Sequence, residues 1–281
     1  PFAGQVIQGA QDEAWRNGKI LLVVDTDGRK DVERRTFSFM FEHQVEDIIY
    51  SKWVHGSITP PDELGRMPSV LVNCYDERGR FPAVVPDEVQ GGATATRLLL
   101  EAGHRRIAFV NDAAPSPASV GRLAGYKAAL AQFDVDFDPS LVLSVTADQE
   151  GGYGAAAQVL ATGATGVFCH NDRTALGLYD ALRESGKRVP DDISVVGFDN
   201  QEVISAHMHP ALTTVGLPQY DLGVMGVRTL LRRCGADNDE SEIVSDSSRF
   251  MSNARQCLGI QCGRCRHVNR LTFRFSMPYL V

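Results

Sequence analysis

The spacing of apolar positions changes repeatedly along this chain, between helical and strand-like. Residues 2–17 carry apolar side chains at helical spacing and stop at Gly18, and a doubly apolar run, residues 20–24, follows. A polar helix comes next, then short apolar runs at 47–50, 69–72 and 83–85. Beyond them the pattern predicts helices over 93–102, 122–133, 154–160, 174–185 and 221–231. Strands are predicted over 107–110, 141–145, 166–169 and 193–198. Short strands that are apolar on both sides, alternating with amphipathic helices, predict an α/β protein with parallel sheets covered on both faces. Two such units fit 281 residues better than one sheet of ten strands.

Sheets of this kind bind ligands beyond the carboxyl ends of their strands. The polar residues just after the predicted strands are Asp25, Ser51, Asn73, Asp87, Asn111, Asn171 and Asp199. Any one of them serves equally well as a helix cap, so the set carries more information than a member.

Composition narrows the function. The net charge is −7, and no basic stripe is present with which the chain could grip nucleic acid through its phosphates. No apolar run reaches the roughly 20 residues of a membrane span, and Pro1–Gln5 has no basic or apolar leader segment, so no membrane partner is expected. Cys74 and Cys169 sit in apolar strands as free thiols, which points to a reducing, cytoplasmic setting. Gly151-Gly152-Tyr153-Gly154 lacks the spacing of a phosphate loop and reads as a helix start, and no nucleophile–base pair is evident. Neither an enzyme nor a cofactor is expected.

Five segments carry a resemblance. They are Gly103-His-Arg-Arg-Ile-Ala, Arg122-Leu-Ala-Gly-Tyr126, Cys169-His-Asn-Asp-Arg-Thr-Ala-Leu-Gly177, Val189-Pro-Asp-Asp-Ile-Ser-Val-Val-Gly-Phe-Asp-Asn200 and Pro210-Ala-Leu-Thr-Thr-Val215. In this order and spacing they resemble the lactose/galactose repressor family of bacterial transcription regulators. The resemblance spans residue 1 to about residue 231. It implies a two-lobed, periplasmic-binding-protein-like (type I) fold, each lobe a parallel sheet with helices on both faces. Residues 1–87 with 214–240, and with 269–281 as a further candidate, would form the first lobe; 88–213 with 241–250 would form the second. Residues 251–268 are an irregular segment without an assigned role.

The implied function is effector sensing. A small sugar-like or nucleoside-like ligand would sit between the lobes and alter the DNA affinity of a helix-turn-helix head that these residues lack. The partners implied are that effector, a second copy in a homodimer, and operator DNA through the head alone. The alternative is a periplasmic solute-binding protein that delivers a sugar to a transporter.

For the site itself, Arg122 offers fixed donors at the start of a helix, Asp199 accepts two hydroxyls, and Asn171 donates and accepts at once. Capping or a surface ion pair is the competing reading for each. Asn73, Ser51 and Phe2 match cleft positions of the family. Ala147 stands where relatives place a large aromatic, and Leu217 where many carry glutamine, which implies a roomier and less polar pocket. Residues 271–277 read as a strand suited to the centre of the first sheet beside 20–24, and Tyr279 would then reach the cleft rim. Cys257, Cys262, Cys265 and His267 offer a single Cys-x-x-Cys, short of the two ligand couples of a structural metal site, so no metal is expected.

Overall fold

The computed structural model describes residues 2–235, 243–246 and 252–253. In chain order, helices α1 (Phe2–Arg16) and α2 (Lys30–Glu42) precede strands β1 (Ile48–Ile58), β2 (Ser69–Asp76) and β3 (Ala83–Pro86). Then α3 (Glu88–Glu101), β4 (Ile107–Asp112), α4 (Pro117–Gln132), β5 (Val142–Val145), α5 (Gln149–Ala161), β6 (Gly166–Cys169) and α6 (Asp172–Glu184) alternate. The order closes with β7 (Ser194–Asp199), the short α7 (Glu202–Ser205), β8 (Thr213–Gly216), α8 (Gln219–Gly235), β9 (Ile243–Asp246) and β10 (Ser252–Asn253).

The strands form two sheets. One has the order β1-β2-β3-β9 and is parallel throughout; the other runs β10-β8-β7-β6-β4-β5, parallel except for β10. Period-two alternation places helices on both faces of each. In the first sheet Val70, Val72 and Val84 pack with Val6, Leu222 and Leu230 of α1 and α8, whereas Leu71, Ala83 and Val85 pack with Phe37 of α2. In the second, Ala108 and Val110 meet α5 and α6, and Ile107 and Phe109 meet α3 and α4. The two-lobed architecture is therefore built as the alternation predicts.

Three expectations change. Residues 20–24 form no strand: Ile20 is 83% exposed, and no described strand pairs with them. Their apolar pattern suits a strand, but a strand also needs a neighbour to satisfy its backbone. Only Leu21 packs, against Ala10, Ala14, Val227 and Ile49. The strand over 243–246, expected with the second lobe, pairs with β3 in the first sheet. Conversely β8, at the start of the 214–240 segment assigned to the first lobe, pairs with β7 in the second sheet, and β10 adds to its other side. Residues 271–277, Tyr279 and the cysteine-histidine group at 257–267 lie outside the described residues.

Candidate functional site

The site is built where α3 and α4 touch. Glycines allow this closeness: a Cβ at Gly92 would stand 2.3 Å from the Arg122 carbonyl oxygen, and one at Gly125 would stand 2.0 Å from that of Val89. The helix α4 begins earlier than the apolar pattern predicts. Ser116 caps it and Ser119 bonds back in a capping box, with Pro117 at the first turn, so Arg122 lies in the second turn rather than at the start.

Arg122 is buried and has a partner on each nitrogen. Its Nε donates to Glu88 Oε2 at 2.8 Å, Nη1 donates to the His170 carbonyl at 2.5 Å, and Nη2 lies 3.7 Å from Asp199 Oδ1. Its guanidinium also lies over the Phe198 ring, 3.7 Å from the centroid. Arg122 and Asp199, both expected in the site, thus come together. Burial pushes the Asp199 carboxyl up to about 6 although Arg122 pulls it down.

Asp199 ends β7 with φ at +96°, and Asn200 follows at +51°. Non-glycine residues held in this region store strain that surrounding contacts must fix. The fixing group is Asp172, fully buried at the start of α6. It accepts from the Thr214 hydroxyl and from the Gln201 backbone N–H, both at 2.6 Å, and so ties the turn after β7 to β8 and α6. A Cβ at residue 197 would stand 2.4 Å from Asp172 Oδ1, which is why glycine occupies it. Burial raises the Asp172 carboxyl to about 7.

His170 is buried and donates from Nδ1 to Asn111 Oδ1 at 3.0 Å; the direction follows because the Asn111 amide nitrogen donates to the Ser119 carbonyl. Burial, with Arg122 beside it, lowers its imidazole to about 3, so it is neutral. Asn171, expected as a ligand contact, is the N-cap of α6. Its Oδ1 accepts from the Thr174 N–H at 2.8 Å, and its Nδ2 donates to the Ala147 carbonyl at 2.9 Å. Those bonds leave one N–H of the amide for another partner.

On the first sheet, Ser51 is exposed and pairs with Val72, next to Asn73. Asn73 sits at φ +59° and donates to the Lys52 carbonyl at 2.9 Å. The register of β1 slips between Ser51 and Gly56, a bulge that redirects His55. His55 Nδ1 lies 3.2 Å from Glu88 Oε1 and joins the first sheet to the Arg122 cluster. Leu217 packs on the core that contains Phe198, and Ala147 is half-buried. Phe2 opens α1.

The sequence reading missed Glu88, His55 and Asp172. Glu88 follows the capping Asp87, where an acidic first-turn residue looks like ordinary helix stabilisation. His55 is placed by a bulge that leaves no periodic mark.

The two largely parallel sheets, each with helices on both faces, match the fold of periplasmic-binding-protein-like domains. The family model described as periplasmic binding protein-like domain matches residues 96–251. The HTH-type transcriptional repressor PurR of Vibrio atlanticus is 30% identical over 246 residues, covering 86% of this chain and 73% of the relative. The ribose operon repressor of Haemophilus influenzae is 27% identical, covering 85% and 72%. Among solved structures, a LacI-family regulator from Rhizobium etli superposes with a TM-score of 0.74 at 28% identity, covering 87% of this chain and 91% of that one. A LacI-family regulator from Enterococcus faecium with bound ribose gives 0.66 at 28% identity, covering 87% and 90%. The chain belongs to the LacI family of transcription regulators, through its periplasmic-binding-protein-like domain.

Proposed function

We propose that this chain senses a small hydroxyl-rich effector, sugar-like or nucleoside-like, between its two lobes and thereby sets the DNA affinity of a helix-turn-helix head joined to it. The observation that carries this reading is the Arg122–Asp199 pair at 3.7 Å, at the carboxyl end of β7. A donor fork beside a carboxylate matches adjacent hydroxyls, which accept from one and donate to the other. Asn171 adds the N–H that its capping role leaves over, and Asn73 and Ser51 face the ligand from the first sheet. Ribose in the Enterococcus faecium regulator and cellobiose in the CelR complex are ligands of the hydroxyl-rich kind.

The chain works as a homodimer in the cytoplasm, where Cys74 and Cys169, free and buried, stay reduced. Operator DNA is touched by the head. Effector binding acts by favouring one lobe orientation over another. The test is a thermal-shift screen against neutral sugars, polyols and nucleosides, repeated on Arg122→Ala and Asp199→Ala. A ligand at a hundred times its Kd adds about 2.7 kcal/mol of stability. A hit lost in both variants supports the site; a hit that survives both removes it.

A further inference from the structure

The Arg122 fork is already engaged by the protein, and that limits which ligands it can hold. Glu88 takes its Nε, the His170 carbonyl takes Nη1, and Asp199 faces Nη2. An incoming carboxylate or phosphate binds arginine best through two parallel N–H donors and a net positive charge. Two of the five donors are already taken, and the net positive charge is cancelled by Glu88. The side chains of Glu88 and Arg122 are both 5% exposed, so their charges cancel with little screening by water. His170, the remaining basic group in contact with Arg122, is neutral.

Glu88 also cannot swing away. Its Oε2 is held by Arg122 and its Oε1 faces His55 across from the first sheet. Its backbone is fixed by helix contact: a Cβ at Gly121 would stand 2.6 Å from Glu88 Cβ. An acidic group entering beside Arg122 would meet two carboxylates, Glu88 and Asp199, with one guanidinium between them. Arg173 stands exposed near Asp199, where solvent screens its charge.

We propose that Glu88 is the residue that decides the charge class of the effector: as the built-in counter-ion of Arg122 it rejects carboxylate- and phosphate-bearing ligands from the Arg122 end of the cleft and admits uncharged polyhydroxylated ones. This rests on the cleft being the effector site, and it goes further by assigning the selection against acids to one side chain. A hydroxyl needs only one donor and one acceptor, which the remaining N–H groups of Arg122 and the Asp199 carboxylate supply. An anion needs the positive charge that Glu88 has neutralised.

The experiment compares charged and uncharged versions of one skeleton by calorimetric titration: glucose with glucuronate, galactose with galacturonate, and ribose with ribose 5-phosphate. Wild-type protein and Glu88→Gln are measured, with Glu88→Gln/Arg122→Ala as the control. Glu88→Gln is expected to bind at least one acidic probe about tenfold or more tighter than wild type, and the double variant is expected to lose that gain. An acidic probe that binds wild type as tightly as its uncharged counterpart overturns the proposal. So does a folded Glu88→Gln protein that gains no acid binding. Folding is read by circular dichroism, and the wild-type comparison decides alone if the variant does not fold. The cleft reading fails separately, when uncharged sugars bind Arg122→Ala and Asp199→Ala unchanged.

Discussion

Glu88 and Arg122, 34 residues apart in the chain, meet in a buried ion pair of 2.8 Å. The pair exists because glycines let α3 and α4 approach to backbone contact. Removing one partner strands the other charge away from water. Arg122→Ala is expected to lower stability by about 3–5 kcal/mol, and adding Glu88→Gln to it should restore a large part. Urea denaturation of the two variants checks this; equal stabilities would mean that the pair is not coupled.

Acid stability should reflect two groups with lowered values. His170 is held neutral to about 3 against an ordinary 6.5, so its contribution is full above 6.5 and is lost as pH falls toward 3. Glu88 is held down to about 2 against 4.5 by Arg122 and His55, which outweigh its burial. Its contribution, on the order of 3 kcal/mol, is present above 4.5 and disappears as pH falls toward 2. Asp172 runs the other way: raised from 3.8 to about 7, it costs stability as pH rises through that window. Urea midpoints measured from pH 7 downward should show Glu88→Gln below wild type by a constant margin above pH 4.5, with the margin shrinking as pH falls toward 2.

Two glycines in helices should respond to alanine with opposite signs. A Cβ at Gly125 meets the Val89 carbonyl at 2.0 Å, so Gly125→Ala must push α3 from α4, costing roughly 1–3 kcal/mol and loosening the Glu88–Arg122 contact between them. Gly154, inside α5, has nothing within 4 Å of an added Cβ. Gly154→Ala should gain about 0.5–1 kcal/mol through helix propensity alone. Melting temperatures of the two variants decide it.

Asn171 carries two roles that substitution can separate. Asn171→Ala removes the cap of α6 and should cost about 1 kcal/mol. Asn171→Asp keeps an acceptor for the Thr174 N–H and removes every side-chain donor. Asp at this position should therefore spare more of the stability than Ala while lowering effector affinity. Unchanged affinity in Asn171→Asp would make the residue a cap and nothing more.

Much of this fold was legible because alternation of apolar segments is a local property. β2, β4, β6 and β7 fall where their apolar runs lie, and Asp199 stands at the carboxyl end of β7, one residue inside the strand rather than just after it. What was not legible depends on partners distant in sequence. Residues 20–24 have the pattern of a strand without a neighbouring strand, and 243–246 found its neighbour in β3. Glu88 was hidden because its first-turn position already explains an acid, and only the contact with α4 gives it a second task. The strain at Asp199 and Asn73 is invisible to residue type, since many aspartates and asparagines sit in ordinary backbone.

The apolar clusters of the described residues each stay with one sheet: Val72 and Leu71 pack with α1, α8 and α2, and Phe109 and Val110 with α3 to α6. What ties the sheets together at the site is polar, the His55–Glu88 contact among it. Each half therefore owns the oily interior that makes it melt cooperatively. Scanning calorimetry should resolve two heat-absorption peaks, with a van't Hoff enthalpy below the calorimetric one. A molecule bridging Asn73 and Asp199 would draw the peaks together, so that two separately built interiors would melt as one.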